Sequence, residues 1–254
     1  MFTNVIVKTP GKSLIDGITG NANFGIPVFE KAIEQHNQYI EALRQCNVKV
    51  EILEADEDFP DSCFIEDVAV VTGKFALITN PGTHSRNGEI ASIVPVLKKY
   101  RNKLEYISAP GTLEGGDVMM VGDHFYIGLS SRTNLSGAEQ FLGHLKKYGY
   151  SGSTIPVQGI LHLKTGMSYL EQNNLLITET YKSDPSFKSF NSIMIEEKDR
   201  YSSNCIWINN HVIIPTGHKK TTRKIAALGY VIHEVEMSEF MKLDGGLSCL
   251  SLRF

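Results

Sequence analysis

Short runs of alternating apolar and polar residues recur along this chain, each followed by turn residues and a second apolar run. "EDVAVVTGKFALIT" from Glu66, "GGDVMMVGDHFYIGL" from Gly115, "GMSYLEQNNLLIT" from Gly166 and "NCIWINNHVIIPT" from Asn204 all read as strand–turn–strand hairpins. Their turns fall at Thr72-Gly73, Gly122-Asp123, Gln172-Asn173-Asn174 and Asn209-Asn210, residue types that tolerate tight reversal. A fifth stretch, "GGLSCLSLRF" from Gly245, offers one strand only. The run "NVIVKTP" near the N-terminus is predicted to supply its partner, which would pair the two chain ends and hold the last residues firmly.

Helical periodicity alternates with the hairpins. "PVFEKAIEQHNQYIEALRQC" places Val28, Ala32, Ile33, Ile40 and Leu43 near one face, with Pro27 suited to a first turn. "GEIASIVPVLKKY", "NLSGAEQFLGHLKKYGY" and "HKKTTRKIAALGY" share basic or glycine-rich ends, as helix C-termini often do. A short strand follows most helices: "VKVEILE", "LEYISAP", "STIPV" and "VIHEVEM"; "YKSDPSFKSFNSIMIEE" is the least regular unit. Repeats every forty to fifty residues predict an α/β fold, a five-bladed pseudo-symmetric α/β-propeller of repeated ββαβ units, with residues 1–254 as one domain. An open α/β sheet fits the hairpins less well. A dinucleotide-binding fold is disfavoured because "GGDVMMVG" opens a hairpin, not a helix.

Composition narrows the classes. A formal net charge of −3 gives no polyanion-binding surface, so no nucleic-acid partner is expected. No apolar run approaches the roughly 18 residues of a membrane span, and the first residues lack the features of a secretion signal. A cytoplasmic setting is therefore expected, with Cys46, Cys63, Cys205 and Cys249 reduced. None forms a CxxC pair, and HxxxH and HExxH are absent, so neither a metal nor another cofactor is expected.

The hairpin entrances carry reactive residue types: Asp61, Glu66 and Asp67; Glu114 and Asp117; His162; and Asp244 with Cys249. Each has an ordinary structural use. The carboxylates serve as turn or surface groups, His162 fits a core position between Leu161 and Leu163, and Cys249 fits as a small buried hydrophobe. Taken together they suggest more. Several carboxylates facing a thiol hold it protonated unless a cation joins them. A guanidinium suits such a pocket, because two carboxylates accept its planar N–H fork and present its central carbon to the sulfur. A histidine within reach can protonate a departing amine and then activate water. Arg86 in "PGTHSRNGE" and Arg132 in "GLSSRTNLSG" follow second strands at equivalent positions and suit a substrate carboxylate. Guanidinium at one end and carboxylate at the other describes an arginine-like amino acid.

Long motifs across nearly the whole chain resemble the dimethylarginine dimethylaminohydrolases of the guanidine-modifying, amidinotransferase-like superfamily. They are "PDSCFIEDVAVV", "PGTHSRNGE", "APGTLEGGDVMMVGDHFYIGLSSRTN", "LHLKTGMSYL", "SEF" and "LDGGLSCLSLRF". The resemblance implies a five-bladed α/β-propeller with Cys249 as nucleophile, His162 as general acid/base and Glu114 as third catalytic carboxylate. It also implies guanidinium-side contacts from Glu66 and Asp67, and amine-side contacts from Asp61 and the main chain around Ile18 and Leu243. Arg86 and Arg132 correspond to the carboxylate clamp, and Asp244 to an acid beside the substrate. Ile18 stands where many members have Leu, and Cys63 where Val is common; Cys63 is expected to act as a core hydrophobe.

The implied reaction is hydrolysis of Nω,Nω-dimethyl-L-arginine or Nω-monomethyl-L-arginine to L-citrulline and dimethylamine or methylamine, through a covalent thiouronium on Cys249. The partner is that small molecule, and a homodimer is compatible with the reading. Arginine deiminase is the nearest alternative, but this chain lacks that family's extra helical insertion and its Arg-Cys-Met type ending. A non-catalytic amino-acid-binding propeller would not need Cys249, His162 and Glu114 together.

Overall fold

In the computed structural model, which describes residues 1–20 and 22–254, the strands form five separate three-stranded sheets. Each has a middle strand paired antiparallel to one neighbour and parallel to the other. In chain order of their hairpins, the first four are Ala69–Val71, Ala76–Ile78 and Leu104–Tyr106; Val118–Val121, His124–Leu129 and Ser151–Pro156; Met167–Tyr169, Asn174–Thr178 and Asn191–Ile195; and Ile206–Ile208, His211–Pro215 and Val231–Val235. The fifth joins the chain ends. Leu252–Arg253 runs antiparallel to Asn4–Lys8, with Val5 opposite Arg253 and Ile6 opposite Leu252, and Lys49–Leu53 completes it. The predicted pairing of the termini is therefore present.

Parallel neighbours need a crossover, and helices supply most of them. These are α1 (Phe29–Gln45), α2 (Ile90–Leu97), α3 (Leu135–Lys147) and, after the short α4 (Leu163–Gly166), α5 (Lys219–Ala226); α6 is Ser238–Met241. In the third sheet, the segment that looked least regular crosses through single 3₁₀ turns at Glu179–Tyr181 and Pro185–Phe187. Asn134 caps α3 by accepting from Gly137 N–H at 2.8 Å. In α1 the buried face runs through Ala32, Gln35, His36, Tyr39, Ile40 and Leu43. Val28, expected on that face, stands exposed at the N-cap, before the helical rotation begins.

Period-two alternation explains how the sheets are glued. Val5 and Val7 enter one apolar cluster with Ile208 and Ile213, whereas Ile6 enters another with Ala76, Ile78 and Leu252. Leu77 joins Phe125 and Ile127, and Met119 joins Leu175 and Ile177. Leu176 joins Val212 and Ile214. Every cluster is thus shared by two consecutive sheets, and the fifth cluster leads back to the first. Side chains such as Ile6, Leu77 and Ile78 are fully buried; truncating one to Ala should cost about 2–5 kcal/mol. No helix among the described residues is long and apolar enough to cross a membrane.

Candidate active site

The antiparallel edge strand of each sheet is entered through a helical turn: Ile65–Val68, Gly115–Asp117, Leu163–Gly166, Glu197–Ser203 and Ser248–Leu250. The reactive residue types sit on these turns or cap them. Glu66 and Asp67 lie on the first, Glu114 caps the second, His162 caps the third and Cys249 lies on the last. Cys249 is thus held by a turn, not by the terminal strand itself. That turn is braced on several sides. Ser248 N–H donates to Asn204 Oδ1 at 2.9 Å, and Ser248 Oγ donates to Glu66 Oε2 at 2.7 Å. Tyr39 Oη donates to Leu247 O at 3.0 Å, and Arg253 Nη1 to Ser248 O at 3.0 Å.

The turns converge on a cavity of about 400 Å³ lined by Ile18, Asp61, Asp67, Arg86, Glu114, Arg132, His162, Leu243, Asp244 and Cys249, together with Phe64, Leu161 and Gly245. Of the twelve candidate site residues singled out in the sequence, all except Glu66 and Asp117 reach it. Phe64, Leu161 and Gly245 carried no signal of their own beyond adjacency to those motifs.

Glu66 points elsewhere. Its carboxylate accepts from Lys164 Nζ at 2.5 Å, Arg253 Nη2 at 2.7 Å and Ser248 Oγ, and it borders a different cavity. Direct contact between Glu66 and a ligand beside Cys249 is therefore not what the side chain offers; its charge alone acts there. Asp67 faces the cavity, accepting from Arg86 Nη1 at 2.7 Å and Gly116 N–H at 3.0 Å. The "GGD" glycines are needed for this approach. A Cβ on Gly115 would strike the Glu66 carbonyl, and one on Gly116 would meet the His162 ring at 2.7 Å.

His162 Nε2 and Glu114 Oε2 are 2.7 Å apart, both buried. Burial alone would strip the proton from the imidazole, but Asp67, Asp117 and Glu114 together outweigh it and raise His162 to about 9. Glu114 is held well below the usual carboxylate range: burial opposes ionisation, and His162, Arg86 and Arg132 overcome it. Asp117 stays behind the histidine, where it accepts from Leu163 N–H at 2.9 Å and from Ser130 and Thr133 hydroxyls. Burial, then Asp67 and Glu66, pushes the Cys249 thiol up to about 12, against a Gly246 N–H 3.5 Å from Sγ.

The two arginines differ. Arg86 is buried and donates to Glu89 through Nε and Nη2 (both 2.9 Å), to Asp67, and to the carbonyls of Asp61 and Phe64. Arg132 is part-exposed; it touches Thr83 Oγ1 and, at 3.5 Å, Glu114. Its Nε and Nη2 make no hydrogen bond among the described residues. Across the cavity, Ile18 N–H donates to Asp61 Oδ1 at 3.1 Å and Gly20 N–H to Asp244 Oδ2 at 2.5 Å, so two carboxylates pin the segment beside Ile18.

Asp67, Glu114 and His162 offer ligand atoms within 4.8 Å of one another and are the residues here that could hold a metal. Arg86 already occupies Asp67, and His162 occupies Glu114, so an ion would have to displace both contacts. What the arrangement favours is an organic cation. Among the lining groups, the carboxylates of Asp61, Asp67, Glu114 and Asp244 outnumber Arg86, Arg132 and protonated His162.

The eukaryotic family described as N,N dimethylarginine dimethylhydrolase matches residues 27–181. The N(G),N(G)-dimethylarginine dimethylaminohydrolase of Pseudomonas aeruginosa is 51% identical over 255 residues, covering 100% of both chains. A crystal structure of that bacterium's enzyme, a cysteine-to-serine mutant complexed with citrulline, superposes with a TM-score of 0.99 at 50% identity over 100% of both chains. A histidine-to-glycine dimethylarginine dimethylaminohydrolase, in adduct with S-methyl-L-thiocitrulline, gives the same TM-score, identity and coverage.

Proposed function

The chain belongs to the dimethylarginine dimethylaminohydrolase family, and on that premise we propose that it hydrolyses Nω,Nω-dimethyl-L-arginine, and the monomethyl analogue, to L-citrulline and dimethylamine or methylamine. The observation that carries this reading is a buried thiol and a buried His162–Glu114 ion pair sharing one acid-rich cavity. We read the five sheets as blades of a closed, pseudo-symmetric five-bladed α/β-propeller of ββαβ units, one domain over residues 1–254. The ring of apolar clusters that returns to its start supports it. A cytoplasmic setting fits four cysteines that are all free thiols.

In this reading the substrate guanidinium lies against Asp67 and offsets the negative field that keeps Cys249 protonated, so binding itself promotes loss of the thiol proton to solvent and leaves the thiolate. The sulfur attacks the central carbon. His162, kept protonated by its carboxylates, gives its proton to the leaving nitrogen as the C–N bond breaks, and dimethylamine departs. Neutral His162 then takes a proton from water, whose oxygen adds to the Cys249 thiouronium. Collapse releases citrulline and restores the thiol. Glu114 holds the imidazole in orientation and charge. Arg132, with donors to spare, receives the substrate carboxylate; Arg86 supports Asp67 from behind. Asp61, Asp244, and the main chain near Ile18 and Leu243 enclose the amine side.

The test is product identity. Incubation with dimethylarginine, monomethylarginine and arginine should yield citrulline with dimethylamine and methylamine from the first two. Ammonia from arginine as the main product would overturn the substrate assignment in favour of a deiminase.

A further inference from the structure

Away from the Cys249 cavity, a second group of side chains brings metal-ligating atoms together. Cys46 caps the C-terminus of α1, His211 opens the strand His211–Pro215, and His233 lies on the parallel strand Val231–Val235. One ligand atom from each lies within 4.8 Å of the other two. The backbone around them is fixed. Asn209 and Asn210 form a tight turn with φ of +50° and +71°, and the Asn209 amide donates to Cys46 O at 3.1 Å and Phe2 O at 2.9 Å. Asn209 Oδ1 accepts from Phe2 N–H at 2.9 Å. The two imidazoles stack with centroids 5.1 Å apart and set His211 Nδ1 2.9 Å from His233 Nε2.

We propose that Cys46, His211 and His233 form a binding site for a borderline divalent transition-metal ion of the zinc type, separate from the catalytic cavity. One sulfur and two imidazole nitrogens are donors that zinc and its neighbours prefer and that hard, oxygen-seeking cations do not. Tetrahedral bonds of about 2.0–2.1 Å would place the two nitrogens about 3.4 Å apart, so the facing pair must open slightly. A 2.9 Å contact between two ring nitrogens requires that one of them carry no proton, so at least one lone pair already faces the site. On binding, the N–H between the rings moves to an outer nitrogen and both imidazoles stay neutral. The Cys46 thiol gives its proton to solvent, breaks its 3.2 Å bond to Ala42 O and forms a metal–sulfur bond, while water completes the coordination.

A thiolate at the negative end of α1 is unfavourable by itself; the dication supplies the offset. His211 and His233 are half-buried, and His233 borders an open groove with Glu34, Glu41 and Glu234, which gives a cation an acidic approach. The bound ion would fasten α1 to the fourth sheet, beside the N-terminal residues. Residues 46, 211 and 233 are too far apart for any local spacing motif to reveal them.

The full chain carrying Cys249→Ser removes the catalytic thiol as a source of signal. Titrated with Co²⁺, it should bind one equivalent with a thiolate-to-cobalt absorption band and tetrahedral visible bands, both displaced by Zn²⁺, and Zn²⁺ should raise Tm. Adding Cys46→Ala should abolish the thiolate band. His211→Ala and His233→Ala, at half-buried positions that tolerate truncation if Cys46→Ala does not fold, should each weaken Zn²⁺ affinity at least ten-fold. The absence of a thiolate band would overturn the proposal. So would a band that survives Cys46→Ala, or Zn²⁺ affinity unchanged in both histidine variants.

Discussion

Glu66 and Asp67 are chain neighbours on one 3₁₀ turn, yet they line different cavities. On the Glu66 side, one carboxylate meets Lys164, Arg253 and the Ser248 hydroxyl, a set in which two cations already satisfy the single anion. The cavity there is the larger, about 900 Å³, with apolar walls from Val71, Met119 and Trp207. On the Asp67 side, carboxylates outnumber cations around a buried thiol. The two regions teach that reactivity here follows uncompensated charge, not cavity size. A carboxylate already satisfied by cations has nothing left to offer a cationic ligand, whereas carboxylates in excess near a nucleophile call for the cation that completes them.

The sharpest way to break this contrast is to remove the thiol. Cys249→Ser should cut kcat at least ~10³-fold while leaving the fold intact, because a serine hydroxyl is not activated as a thiolate is. Citrulline release and thermal melting check both halves, and near wild-type turnover would end the assignment. His162→Gly should cost on the order of 10²-fold or more, since the leaving amine loses its acid. Single-turnover experiments should then show substrate bound but stalled before amine release or at hydrolysis.

The two arginines test whether the cations on the Asp67 side are read correctly. Arg86→Ala strands buried Asp67 and Glu89, so it should destabilise the fold by about 3–5 kcal/mol. Arg132→Ala should leave stability nearly intact and chiefly raise KM, because the substrate carboxylate is remote from the reacting carbon. Urea unfolding together with steady-state kinetics separates them; equal KM effects without a stability loss in Arg86→Ala would restore it as an equal partner in the clamp.

Glu66→Gln should lower stability by about 3 kcal/mol or less, its cationic partners being part-exposed, and change kcat by less than ten-fold. Because Glu66 helps hold the Cys249 thiol protonated, alkylation by iodoacetamide near neutral pH should quicken. A slower or unchanged alkylation rate would mean that its charge does not reach the sulfur.

The smallest effect expected is on stability against pH. His162 is raised from 6.5 to about 9 in the folded chain. Its contribution is therefore complete below 6.5 and disappears as pH rises through 9. Tm should fall over that window, and less so in Glu114→Gln, where the imidazole has lost a partner. Parallel Tm profiles for the two proteins would deny the coupling.

Much of this molecule was legible as sequence. Period-two and helical patterns are local, so the hairpins, α1, α3, α5 and the pairing of Asn4–Lys8 with the last strand could all be anticipated. So could the collection of reactive types at the hairpin entrances, because each is tied to a turn motif. Tertiary structure alone decided which way those groups face. Lys164 and Arg253, which turn Glu66 away from Cys249, lie 98 and 187 residues along the chain. Glu89 is only three residues from Arg86, but Asp67, which completes the set that occupies it, is brought there by packing. Cys46, His211 and His233 meet because one asparagine in a hairpin turn clasps the end of a distant helix. Local propensity sets the path of the backbone; the direction and charge of a buried side chain depend on partners that only the folded chain brings within a few ångströms.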